Sequence, residues 1–132
     1  AVASGLIDII CSMHTPQDEE SKRLPFEEAA SGAVGLETLL PAALRLVHAE
    51  MMDLPTLWRA LSLNPAQRLG LPGGRIAVGA PADLVLFNPD APFVLDRSTL
   101  RSKSRNTPFD GMRMQGKVVA TYVAGSCVYE AN

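Results

Sequence analysis

Histidine and cysteine, the side chains that most often hold transition metals, occur only twice each in these 132 residues. A catalytic zinc needs three protein ligands, so the inventory argues against a complete zinc site within the chain. Cys11 and Cys127 are too sparse for a disulfide framework or a closely spaced zinc cluster, which predicts two reduced, buried thiols in a cytoplasmic protein. Aromatic residues make up 5% of the chain, and twelve basic against fourteen acidic residues leave a net charge of -2. Without a basic stripe interleaved with aromatics, nothing draws nucleic acid. No apolar run approaches the roughly 20 residues that span a bilayer, and the first residues lack the basic start and cleavage pattern of a secretory signal. A glycine-rich phosphate loop and a nucleophile elbow are missing too.

What is present is core material: 47% of the residues are hydrophobic, enough for one ordinary domain. Leu6-Ile7-Asp8-Ile9-Ile10-Cys11-Ser12 is a nearly continuous apolar run that suits a parallel strand covered on both faces. Such a strand entered after only five residues predicts a piece of a longer polypeptide. Its end falls at Ser12, Met13 and His14, the place where α/β barrels gather functional groups. Thr15 to Phe26 is polar and broken by Pro16 and Pro25, which predicts a long surface loop. Within it Asp18, Glu19 and Glu20 read as a solvated face. Residues 28–35 are small, which serves either close approach of backbone to a ligand or simple packing.

From Leu36 the positions Leu36, Leu39, Leu40, Ala43, Leu44 and Val47 recur at helical spacing, with Glu37 early and Arg45 and His48 late, as the helix dipole favours. His48 is thereby explained as a surface residue near a helix C-terminus. Asp53 is a good N-cap for a second helix carrying Pro55, Leu57, Trp58 and Leu61. Asn64 is expected to cap a third, short helix with Pro65 at its first position and Gly70 as its stop. After Gly73-Gly74 the pattern changes to period 2, with Leu84 and Leu86 alternating against Val85 and Phe87. Val118 to Val123 and Ser126 to Tyr129 form a hairpin across Ala124-Gly125. Residues 96–116 read as mostly polar loop.

These stretches, taken in order, resemble the C-terminal third of a dihydroorotase, in the cyclic amidohydrolase superfamily. The resemblance rests on Gly35-Leu36-Glu37-Thr38, on Asn64-Pro65-Ala66 with Leu69-Gly70-Leu71, and on Gly79-Ala80-Pro81-Ala82-Asp83-Leu84 with Phe87-Asn88-Pro89. Lys103 to Gly111, ending in Asn106-Thr107-Pro108-Phe109-Asp110-Gly111, is its most specific part. The implied fold is α/β. Residues 1–71 would be the last strand and terminal helices of a metal-dependent (β/α)₈ barrel, and residues 72–132 the C-terminal half of a small β-sandwich.

The resemblance also implies an activity, the zinc-dependent interconversion of carbamoyl-aspartate and dihydroorotate in pyrimidine biosynthesis. In that family Asp-His-x-Pro-His follows the last barrel strand, and its aspartate ligates metal and shuttles the proton. Here the motif reads Met13-His14-Thr15-Pro16-Gln17. A thioether is a weak, soft ligand with no titratable proton, so no catalytic or metal-ligating residue is expected within this segment. The resemblance implies substrate contacts at His14, Gln17, Ser31 and Gly32. Implied partners are the remaining N-terminal part of the same polypeptide and further copies of it. If the chemistry is lost, the parent is expected to be a catalytically inactive subunit partnering aspartate transcarbamoylase.

Overall fold

The computed structural model describes residues 1–131. Helices fill the first half: α1 (Glu19–Lys22), α2 (Leu39–His48), α3 (Leu54–Trp58) and α4 (Asn64–Leu69). The second half contributes β1 (Leu84–Val94), β2 (Arg113–Val123) and β3 (Ser126–Glu130), an antiparallel sheet in the order β1-β2-β3.

The amphipathic helix starts later than its apolar spacing suggests. Leu36 is 66% exposed, and residues 36–38 form a turn. The Glu37 carboxylate leaves the helix to accept hydrogen bonds from the backbone N–H groups of Arg101 and Ser102. From Leu39 onward the stripe behaves as its period requires, burying Pro41, Ala43 and Leu44. Asp53 caps α3 as expected, accepting from Thr56 N–H at 2.8 Å.

Asn64 departs from its expected role. It has ordinary helical dihedrals, and α3 runs into α4 through a π turn at Arg59–Leu63. Pro65 has no N–H for the carbonyl of Leu61, and the Asn64 N–H bonds instead five residues back to Arg59. The widened turn therefore carries the proline without ending the helix. The Asn64 side chain, free of capping duty, donates to the Asp8 carbonyl at 2.7 Å. Gly70 stops α4 in a left-handed conformation, with Leu71 N–H returning to the Ala66 carbonyl.

Four further expectations need correction. Residues 6–12 carry no regular secondary structure and join no sheet among the described residues. A parallel strand forms only against a neighbour, and here Ile10 N–H bonds to the carbonyl of Ala60 on the π turn. Cys11 and Cys127 are free, as expected, but both are exposed rather than buried, because the segments bearing them have one uncovered face. The loop after Pro16 contains α1, where Asp18 caps Ser21 N–H at 2.8 Å. The polar region 96–116 holds a short 3₁₀ turn at Arg97–Thr99 and already enters β2 at Arg113.

β1 and β2 pair with two irregularities, one between Leu86 and Phe87 and one between Asn88 and Pro92. Pro89 and Pro92 lack the N–H that a regular ladder needs, and β1, an edge strand, accommodates them. The β2–β3 hairpin turns at Ala124 (φ 48°) and Gly125 (φ 81°), the paired positive angles of a two-residue turn. Ala43, Leu44 and Leu57 form the core, with Ile10, Val47, Leu61 and Phe87 packed against it. Trp58 stacks on Phe87 with ring centres 5.0 Å apart, fastening α3 to β1.

Candidate functional site

Segments 12–17, 31–36 and 104–106, far apart in the chain, meet on one side of this core. Thr15 N–H bonds to the Ala33 carbonyl at 3.0 Å. The backbones come so close that a Cβ on Gly32 would lie 2.5 Å from the Thr15 carbonyl oxygen, and one on Gly35 would lie 2.5 Å from that of Ser12. Of the two readings of the small residues in 28–35, close backbone packing is therefore what the glycines provide.

His14 is half-buried. Its Nδ1 accepts hydrogen bonds from the backbone N–H groups of Gly35 at 3.1 Å and Leu36 at 3.4 Å. A nitrogen that accepts carries no proton, so these two bonds use the Nε2–H tautomer of the ring. Gln17 donates its side-chain amide to the Ser31 carbonyl at 3.1 Å, while its backbone N–H donates to Asn106 Oδ1 at 3.0 Å. Asn106 Nδ2 donates to the Gly32 carbonyl at 3.1 Å, and Val34 N–H donates to the Asn106 carbonyl at 2.8 Å. The Ser104 hydroxyl contacts both the Gln17 carbonyl and Asn106 Oδ1.

The structure thus brings together His14, Gln17, Ser31 and Gly32. A cavity of about 440 Å³ opens beside them, lined by Cys11, Met13, Gly32, Val34 and Phe109 among others. A larger cavity of about 730 Å³ lies between α3 and the sheet, but Trp58, Val85 and Phe87 make its lining mainly apolar. The smaller one is the better candidate because it opens where segments 12–17 and 31–36 meet, with Ser12, Met13, Gly32 and Gly35 in its lining.

Met13 sits at the rim with φ 45° and its side chain 76% exposed. Zinc does not fit the residues present. Among the described residues no three His, Cys, Asp or Glu side chains gather closely enough to hold a metal ion. His14 spends one ring nitrogen on backbone, and Met13 offers only sulfur. His48 stands apart at the end of α2, with Nε2 3.4 Å from Asp90 Oδ1.

Two contributions escaped sequence reasoning. Asn106 was visible only as part of a family signature, since its partners lie 89 and 74 residues away. The acidic run at 18–20 is also more than a solvated face. Glu19 reaches Arg97 at 3.2 Å and Arg23 at 3.3 Å, and Arg97 pairs with Asp110 at 3.5 Å. These bonds tie α1 to the loop that delivers Asn106. The i,i+4 spacing marks the Glu19–Arg23 pair, but no spacing rule links Glu19 to Arg97.

Residues 32–129 match the model of the amidohydrolase family. The chain is 40% identical over 129 residues to a dihydroorotase of Geotalea daltonii and 43% identical over 128 residues to one of Ehrlichia chaffeensis. These alignments cover 98% and 97% of this chain but only 30% and 29% of those proteins, so it spans less than a third of their length. Among solved structures it resembles an L-hydantoinase (dihydropyrimidinase) from Arthrobacter aurescens, with a TM-score of 0.90 at 35% identity. A dihydropyrimidinase from Brevibacillus agri gives a TM-score of 0.91 at 26% identity. Each of those matches covers 98% of this chain and 30% of the solved one.

Proposed function

The chain belongs to the amidohydrolase family, and from that premise we propose that it is the C-terminal portion of a dihydroorotase, a cyclic amidohydrolase of pyrimidine biosynthesis. The observation that carries this reading is that 12–17, 31–36 and 104–106 are hydrogen-bonded to one another beside a small cavity that Ser12, Met13 and residues 32–35 line. Two of the segments that meet, 35–36 and 104–106, belong to stretches that resemble dihydroorotases, and 12–17 stands where that family's Asp-His-x-Pro-His motif would lie. Identities of 40% and 43% to proteins named dihydroorotase favour that substrate over the ring amides of the hydantoinases.

In this reading residues 1–71 close a (β/α)₈ barrel and residues 72–132 complete a small β-sandwich of a cytoplasmic, homo-oligomeric enzyme. The first partner of the chain is the preceding part of its own polypeptide, against which residues 6–12 pair as the last barrel strand. Zinc, which supplies carbonyl polarisation and an activated water in such enzymes, is held by residues outside this chain. The chain's own groups serve the substrate: His14 fixes the backbone at Gly35 and Leu36, Gly32 lines the cavity, and Gln17 and Ser31 hold each other beside it. The test is hydrolysis by the full-length protein of dihydroorotate, hydantoin and dihydrouracil under identical conditions. Preferred turnover of dihydroorotate is expected, and preference for either other ring would overturn the assignment.

Met13 favours a second reading, in which the parent has lost its chemistry and serves as a structural partner of aspartate transcarbamoylase. Zinc analysis and dihydroorotate turnover on the full-length protein separate the two. Stoichiometric zinc with turnover removes the inactive reading, and absence of both removes the first.

A further inference from the structure

We propose that Asn106 is a positioning residue for the substrate pocket, holding the Gln17 and Ser31–Gly32 segments at a fixed separation through a closed circuit of hydrogen bonds. The circuit can be followed atom by atom. Asn106 Oδ1 accepts from Gln17 N–H at 3.0 Å, and Gln17 Nε2 donates to the Ser31 carbonyl at 3.1 Å. Ser31 is joined covalently to Gly32, whose carbonyl accepts from Asn106 Nδ2 at 3.1 Å. A fourth bond, Val34 N–H to the Asn106 carbonyl at 2.8 Å, anchors the same backbone one step further on.

The orientation of the Asn106 amide is forced by its partners. A backbone N–H only donates and a backbone carbonyl only accepts, so one end of the side chain must be oxygen and the other nitrogen. Aspartate could serve Gln17 but would face the Gly32 carbonyl with a second acceptor. An apolar residue would serve neither and leave half-buried backbone groups unpaired. Asparagine is thus matched to both segments at once.

The circuit lies beside the cavity that Gly32 and Val34 line and away from the Leu44–Leu57 core. Its loss should therefore displace the pocket wall more than it unfolds the chain. The inference rests on the dihydroorotase reading, because only a bound ring gives that wall something to position.

The experiment compares wild-type full-length protein with Asn106→Ala and Asn106→Asp, measuring dihydroorotate kinetics and amide hydrogen exchange. For Asn106→Ala, KM is expected to rise about tenfold or more with kcat within about threefold, the signature of lost binding rather than lost chemistry. Exchange should quicken at Gln17 and Val34 while the amides of α2 stay protected. Asn106→Asp should keep Gln17 protected yet still raise KM, isolating the bond to Gly32. Unchanged exchange in Asn106→Ala, an unchanged KM, or a wild-type KM in Asn106→Asp would each overturn the proposal. A wild-type protein that neither binds nor hydrolyses dihydroorotate would overturn the underlying functional reading instead, and that result is read before any variant is compared.

Discussion

At Gly32 and Gly35 a single methyl group would separate two backbones, since each position faces a carbonyl oxygen at 2.5 Å from where a Cβ would stand. Gly32 has φ 124° as well, a conformation that side-chain-bearing residues rarely adopt. Gly35→Ala is expected to destabilise the full-length protein by about 1–3 kcal/mol, as overpacking usually does. Gly32→Ala should cost more, because steric and conformational penalties combine. Chemical denaturation of the two variants checks both size and order. Met13 presents the opposite case. Its left-handed φ of 45° suits aspartate better than methionine, and its side chain is 76% exposed, so Met13→Asp should be tolerated without loss of stability. If the missing carboxylate limits an otherwise intact site, that variant should raise dihydroorotate turnover by about 10²-fold or more, the usual scale of acid–base assistance. Unchanged turnover would show that position 13 is not what limits the protein. At this scale the sequence exposed residue types more readily than partners. Met13 stands out against a motif, whereas the bond from His14 to Gly35 crosses 21 residues and follows no local pattern.

The elements were legible where a local rule governs them. Asp53 caps α3, α2 follows its apolar stripe and the hairpin turns at Ala124-Gly125 because each depends on neighbours within a few residues. Leu36 and Asn64 misled for the same reason: long-range bonds, from Glu37 to Arg101 and from Asn64 to Asp8, decide their local conformation. The caps also set a pH dependence. Hydrogen bonds from Thr56, side chain and backbone, hold the Asp53 carboxyl below the ordinary aspartate range, assisted by the Arg59 charge. Ser98 does the same for Asp96, with Arg105 and Arg97 adding to it. A lowered folded-state pKa means that the folded chain binds fewer protons than the unfolded one. The stabilisation is therefore complete above the ordinary aspartate range and disappears as pH falls through it to the lower folded values. Asp53→Asn retains a capping oxygen without the titration. Its stability should match wild type less closely at neutral pH than in acid, and the two curves should converge as pH falls through the carboxylate range. Parallel curves in a pH series of thermal melts would show that the Asp53 charge contributes nothing to the cap.

Considered whole, the chain has too much surface for its size. A folded monomer of 14.1 kDa exposes about 6,700 Å² by the scaling of globular proteins, whereas this chain exposes 9177 Å². The surplus, about 2,400 Å² by the same scaling, is comparable to the area buried in extensive obligate contacts. Much of it is apolar. Leu6, Phe26, Ile76 and Val78 are at least 80% exposed, and Leu86 and Val128 are more than half exposed on the sheet. Such a surface in water favours association. The apolar run at 6–12 predicts a cover from sequence, whereas the exposed sheet residues carry no such signal, because period-2 alternation does not reveal whether the second face is covered. Expressed alone, residues 1–132 should bind a hydrophobic dye, populate soluble aggregates in sedimentation and lack a sharp melting transition. The full-length protein should show none of these, because residues preceding this chain in the proposed polypeptide would cover the same side chains. Adding the purified N-terminal portion to the isolated chain should restore a single cooperative transition and suppress dye binding. A monomeric, cooperatively melting 132-residue product would instead mean that these apolar side chains are stable in water without a cover, removing the main physical support for reading the chain as part of a larger enzyme.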